Sequence, residues 1–407
     1  MRGRLVRNAG VLIASNGTVM VLNFLTWVYL GRVLAPEAFG VLGFGFALLM
    51  YFVLAVELGF DRVAVREAAR APDRIGELVA HVLSIRLVLC AVAGAGYAGI
   101  VLSLDRPWPV KATLLLIGLQ LVERAVRVEW VFQALERVRV FALRDILLAV
   151  LTAVGVLALV HRPDDVALAG AAVAAGPLVA SLWLLWTYHR QVGPVRLAYD
   201  RAVWGSLFRP ALPLAASAVL IEVYLRINQV MLEFLDSTVA VGQYSATVKV
   251  LSVVLVVPRA VQIAVFPQFA AALGDRERMR ALGRGVTRTM LALGLPVAAT
   301  GPWLASGLVS EVYGADYAAG GPALAVLFVS AGVVYLNAAV GTPLMAWNRE
   351  RAYLWVVGVG AVANVALNFV LIPAVGMVGA AAATVSAEVV VLCGFLWVYR
   401  EETGELP

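Results

Sequence analysis

Charge is scarce in this chain: 14% of its 407 residues are Asp, Glu, Lys or Arg, against 62% hydrophobic. A soluble domain carries about 25% charged residues, so the composition, with a mean hydropathy of +0.89, places the chain among membrane proteins. Lysine is nearly missing, with Lys111 and Lys249 alone. Cysteine occurs twice, at Cys90 and Cys393, inside apolar runs; that excludes a disulfide framework and a cysteine metal site. His81, His161 and His189 are scattered without metal-ligand spacing. Neither a phosphate-cradling Walker loop nor a dinucleotide-binding glycine fingerprint occurs. The sequence therefore calls for no cofactor and no metal, and it disfavours ATP-driven transport by this chain alone.

What is present is apolar and long. A membrane span needs roughly 20 apolar residues, and that ruler predicts helices near 10–34, 40–60, 78–102, 111–134, 141–160 and 166–188. A second set lies near 209–235, 241–266, 285–308, 319–345, 352–372 and 377–399. The runs are continuous rather than alternating, which favours helices over barrel strands. The expected fold is all-α integral membrane, with about twelve transmembrane helices in two six-helix lobes, 1–200 and 201–407.

The formal net charge of +6 sits in short arginine clusters between spans, a pattern of membrane topology rather than of nucleic-acid binding. With the N-terminus inside, cytoplasmic segments receive Arg62, Arg66, Arg70 and Arg74, then Arg137, Arg139 and Arg144, then Arg190, Arg196, Arg201 and Arg209. The later ones receive Arg276 to Arg288, Arg349, Arg351 and Arg400, whereas the outer loops hold Arg32, Arg106, Lys111 and Arg162. Both termini are expected on the cytoplasmic side of the cell inner membrane. The N-terminal Arg2, Arg4 and Arg7 read as the cytoplasmic start of the first span. The connections 61–77 and 267–284 look amphipathic and are expected on the membrane surface.

Two stretches repeat at half-chain distance: 30–40 (LGRVLAPEAFG) with 232–242 (LEFLDSTVAVG), and 169–190 with 378–400. Same-direction repetition fits two lobes related by an axis along the membrane normal.

Charge at the bilayer centre costs at least about 2.5–3.5 kcal/mol, so it marks pathways or pairs. Once loops and helix ends are set aside, the candidates are Arg86, Gln120, Glu123, Arg124, Arg127, Glu129, Glu222, Arg226, Asn228, Gln229, Lys249 and Glu388. Gln120, Arg124 and Arg127 recur at i, i+4 and i+7 and so share one face of a single helix. Glu123 with Arg127, and Glu222 with Arg226, are spaced to neutralise each other. Arg86, Arg124 and Lys249 have no acid four positions away. If these groups meet in one cavity it is net cationic, suited to an anion such as a diphosphate, with Arg86, Arg124, Arg127, Arg226 and Lys249 as ligands. Snorkelling or cross-helix pairing is the structural alternative. Glu123, Glu222 and Glu388 are the candidates for carrying a coupling proton or sodium ion. Prolines 177, 213, 258, 296, 302 and 343 interrupt spans and supply possible kinks.

Several motifs carry a family resemblance. Gly31-Arg32, Pro36-Glu37 with Gly40, Glu57 with Gly59, and Arg66-Glu67, all within 29–70, resemble the opening of Wzx-type polysaccharide flippases. Val241-Gly242-Gln243-Tyr244, Phe266-Pro267, residues 313–317 (YGADY) and Gly376 to Ala381 with Glu388 resemble later segments in the same order. The family is a branch of the superfamily that also holds the multidrug-extruding MATE proteins and the lipid II flippases. The resemblance implies a central cavity between the lobes that opens alternately to either side. It also implies a polyprenyl-diphosphate-linked oligosaccharide as cargo, and with it partners of three kinds: membrane lipids, a polysaccharide polymerase and glycosyltransferases. A cation-coupled exporter of small molecules is the alternative transporter. A membrane glycosyltransferase using Asp105, Asp164 or Asp165 is the enzyme alternative; the short outer loops leave it little room for an acceptor site.

Overall fold

The computed structural model describes the backbone of residues 2–407 and the side chains of 15–407 apart from Pro213, so the N-terminal arginines and that proline lie outside the described side chains. All regular secondary structure among the described residues is helical, with no strand. By length and apolar composition seven helices among them can cross a membrane, or nine if each of two bent pairs is one span. Two of the seven are double-length. Ser15–Arg70 and Glu350–Thr403, at 56 and 54 residues, each contain an internal break.

Those breaks are reversals. Ala35 leaves the helical region (φ 59°, ψ 170°) just before Pro36, and Trp27 packs edge-on against Phe46 at 5.3 Å. An unbroken helix would hold them roughly 28 Å apart at 1.5 Å per residue. In the second case the break lies at Val375 and Gly376. A methyl group on Gly394 would lie 2.6 Å from the Val356 side chain, which only an antiparallel pair permits. Gly376 has φ 57° and ψ −137°, a region closed to residues with a Cβ. Gly376→Ala is expected to lower stability by about 1–3 kcal/mol, read as a drop in thermal unfolding midpoint in detergent; an unchanged midpoint would place the turn elsewhere.

A broken segment, Trp108–Gly118, Gln120–Val126 and Glu129–Ala134, occupies the fourth expected span. With two spans in each double-length helix, the described residues accommodate about twelve crossings. Outward faces are apolar, as lipid requires: Trp303 is 88% exposed and Ile263 72%.

The chain forms two compact units, Met1–Val219 and Leu220–Pro407. Their boundary falls inside the helix Arg201–Leu235, because its first turns belong to the first core: Leu207 and Ala211 are buried there, and Phe208 packs on Phe60 at 5.1 Å. The first core joins Phe60, Val63, Ile75, Val79, Trp130, Phe132, Leu184 and Tyr188. The second joins Phe269, Met290, Tyr335, Leu344, Trp347, Phe395 and Tyr399, with the Trp347 indole donating to the Phe269 carbonyl at 3.0 Å.

One expectation needs correction. The helix Phe60–Arg70 does not rest its apolar face on a membrane surface; Phe60, Val63, Ala64 and Ala68 are buried in the protein core. In the other connection, 267–284, the bent pair runs on to Ala271, and the next helix begins at Arg276, capped by Asp275, whose carboxylate accepts the Arg278 N–H at 3.0 Å.

Candidate functional site

The polar positions of the first unit form a chain of alternating charge. It starts at Arg86, whose guanidinium is fully buried and reaches Asp61 at 2.8 Å. Asp61 meets Arg127 at 3.3 Å, and Arg127 meets Glu57 at 2.6 Å. Glu57 also holds Arg124 at 3.0 Å, and Arg124 reaches Glu123 at 3.1 Å. Glu123 takes Arg144 at 2.5 Å, which ends on Asp145 at 3.0 Å. Ser181 donates to Glu123 at 2.7 Å and accepts from Arg144 at 3.0 Å. Asp61, Glu57 and Glu123 thus each hold a place between two bases, which compensates the desolvation of both.

Local backbone explains why the chain closes. The helix Gln120–Val126 stops where Arg127 turns extended (φ −72°, ψ 121°). The Arg127 carbonyl freed by the break accepts the Arg86 Nη1–H at 3.1 Å, the kind of substitute partner a broken helix needs inside lipid. Gln120, Arg124 and Arg127 therefore do not share one continuous helical face as expected. The expected Glu123–Arg127 pair is replaced by Glu123 with Arg124 and Arg144. Arg86 and Arg124, which have no acid four positions away, are matched across helices by Asp61 and Glu57, and Arg124 also reaches its neighbour Glu123. As built, the chain balances four arginines with four acids and carries no net positive charge. Arg124 and Arg127 keep 25% and 14% of their side chains exposed, whereas Arg86 is sealed at 1%.

Glu57, Asp61, Arg144 and Asp145 were not among the candidate site residues, because a search for charges in mid-span passes over positions assigned to loops and span ends. The signal was available: Glu57 and Asp61 are four apart, each within reach of a base on the adjoining span.

In the second unit the expected Glu222–Arg226 pair forms at 2.8 Å. Lys249 lies close enough to Arg226 for their charges to interact. Asn228, buried, donates to Tyr244 at 2.8 Å and Thr384 at 2.7 Å, and accepts from Asn368, which also donates to Asn364 at 3.0 Å. This cluster is neutral and ties together four helices: those of Asn228 and Tyr244 and the two limbs either side of Gly376. Asn368→Ala should cost about 1 kcal/mol, in keeping with interhelical hydrogen bonds in membranes; a denaturant titration that shows no loss would deny the cluster that role.

Glu388 lies apart from these groups. It lines a cavity of about 380 Å³ with Tyr224, Tyr353, Asn337, Gln262 and Arg259. Asn337 donates to its Oε2 at 2.6 Å, and the Tyr224 hydroxyl faces the same carboxylate. Of the outer aspartates, Asp165 is committed to its own turn. Its carboxylate accepts the N–H groups of His161 at 2.8 Å and Arg162 at 2.9 Å, which hold it below the usual carboxylate range.

A family model described as polysaccharide biosynthesis protein matches residues 5–273. A protein of Escherichia coli (strain K12), whose name proposes an O-antigen transporter, is 24% identical over 272 residues. That match spans 66% of this chain and 65% of the length of the relative. Among solved structures, a multidrug resistance MATE family transporter of the MOP superfamily, inward-facing, aligns with a TM-score of 0.70 at 16% identity, covering 95% of this chain and 94% of that one. The lipid II flippase MurJ, inward closed, aligns with a TM-score of 0.73 at 10% identity, covering 95% and 87%. At such identities the structural likeness is one of fold.

Proposed function

Because the chain belongs to the polysaccharide biosynthesis protein family, we propose that it is a flippase for a polyprenyl-diphosphate-linked oligosaccharide destined for surface polysaccharide. The observation that carries this reading is the ion chain in the first unit. Four guanidinium groups are kept within or beside helices that must cross lipid, against a cost of about 2.5–3.5 kcal/mol for each charge at mid-bilayer. Two of them remain reachable.

A diphosphate approaching Arg124 and Arg127 would exchange with Glu57, whose Oε1 both arginines share. Planar guanidinium forks suit two phosphate oxygens at once. Arg226 and Lys249 would serve the same cargo from the second unit. Arg86 is a positioning residue in this scheme: it braces Arg127 through Asp61 and through the carbonyl at the helix break. Glu123, Glu222 and Glu388 are the proposed coupling acids. The prenyl tail stays in lipid while diphosphate and sugars pass, and two six-helix lobes rock to expose the site to each side in turn. Both termini lie in the cytoplasm of a cell whose inner membrane holds the protein, beside the polymerase and glycosyltransferases that make and use the cargo.

The test is reconstitution. Liposomes containing the purified protein and an undecaprenyl-diphosphate disaccharide are treated with an external glycosidase, with and without imposed proton and sodium gradients. The inner-leaflet pool should become cleavable faster than in protein-free liposomes. Equal rates under every gradient would refute the reading.

A second reading, export of small organic cations, is favoured by one feature, the aromatic and acidic cavity around Glu388. Extrusion of ethidium by the same liposomes would support it.

A further inference from the structure

The cavity at Glu388 contains groups that the ion chain does not explain. Its walls include the rings of Tyr224 and Tyr353, and Tyr353 is backed by Phe395 in a stack of 4.8 Å between centroids. That backing fixes the ring, so its free side is a rigid apolar platform. Around the platform stand polar groups of both kinds. The acceptor is the Glu388 carboxylate, held in place by the Asn337 Nδ2, which donates to its Oε2 at 2.6 Å and to the Glu388 carbonyl at 3.0 Å. Donors are Arg259 and the Gln262 amide, on the helix Val256–Ala271, with Ser252 beside them.

Size and chemistry both narrow the occupant. A volume of about 380 Å³ lies within the roughly 300–1,000 Å³ of small-molecule sites, room for about a dozen waters at roughly 30 Å³ each. An inorganic ion would leave the platform unused, and a hydrocarbon would leave the Glu388 carboxylate without a donor from the cavity. An organic cation would use the carboxylate and the rings but would meet Arg259 as a like charge. The ligand that engages every wall is a flat, uncharged ring with an apolar face and a rim of hydroxyls, each both donor and acceptor.

We infer that this cavity is a sugar subsite, holding one or two pyranose rings of the cargo through the Tyr353 platform, Asn337, Glu388, Gln262 and Arg259. The inference rests on the flippase reading and assigns the glycan to the second unit. It makes part of the affinity depend on the sugar, which a site built for diphosphate alone would not.

Native mass spectrometry of the purified full chain can separate the two. The probes are undecaprenyl diphosphate, bare or carrying one glucose, galactose or N-acetylglucosamine. Wild-type protein should bind at least one glycosylated probe about tenfold tighter than the bare one, the equivalent of about 1.4 kcal/mol. Asn337→Leu should abolish that increment and leave binding of the bare lipid unchanged. Gln262→Ala and Arg259→Ala, at positions outside the packed core, should each reduce it, which keeps the test valid if the buried variant fails to fold. Equal binding of all probes by wild type overturns the sugar subsite alone. Failure to bind any diphosphate lipid overturns the flippase reading beneath it. Variants that alter only the binding of tetraphenylphosphonium would assign the cavity to cation export instead.

Discussion

Replacing Glu123 with leucine should destabilise the first unit by about 3–5 kcal/mol, the cost of stranding a buried charge. Glu123 is 2% exposed in its side chain and Arg144 6%. The carboxylate holds Arg144, Arg124 and Ser181 together, so its loss leaves Arg144 with Asp145 alone, itself 30% exposed. Against a total stability of about 5–15 kcal/mol for a folded domain, this is a large fraction. Glu123→Gln keeps an acceptor for Ser181 and Arg144 and should cost less. The double variant Glu123→Leu with Arg144→Met should recover much of the loss, because no buried charge is then unmatched. Denaturant titration in detergent, scored alongside the inserted fraction, reads all three. A single leucine variant as stable as wild type would mean that the alternating chain does not form.

Arg124 should show the opposite balance, with a large effect on transport and a small one on stability. At 25% exposure its pairs with Glu57 and Glu123 are partly solvated, so Arg124→Gln should lower stability by about 1 kcal/mol, the scale of a partly exposed pair. Export of lipid-linked glycan should fall about tenfold to hundredfold, since losing the fork forfeits charge-assisted bonds worth about 1.5–3 kcal/mol. Arg124→Lys keeps the charge but not the planar fork and should fall between. The measurement is the initial rate in the liposome assay, normalised to inserted protein. Wild-type rates in Arg124→Gln would remove Arg124 from the binding site and leave it a structural member of the chain.

Much of this protein is legible before folding is considered. Continuous apolar runs spaced by basic clusters locate the crossings to within a few residues; the expected 166–188 is the helix Val166–Gln191 and 319–345 is Gly321–Ala346. The pair Glu222–Arg226 was legible too, because both members lie on one helix and spacing alone sets their distance. The alternating chain was not. Its links join residues as far apart as Glu57 and Arg127, and whether an arginine is paired depends on which helix lies opposite. A regular helix through 111–134 was the natural expectation from hydropathy, yet Arg127 departs from it, because Glu57 and Asp61 draw its side chain and Arg86 satisfies its carbonyl.

The division follows from the range of the forces. Hydrophobic transfer and helix hydrogen bonding act along the chain, so composition and period determined that this is a polytopic helical membrane protein with charges that lipid will not tolerate. Ion pairing, sugar-sized cavities and the exposure of a guanidinium arise between helices distant in sequence. Only their packing decided that Arg86 is sealed while Arg124 stays reachable, and that Glu388, held by Asn337, lines a cavity walled by aromatic rings.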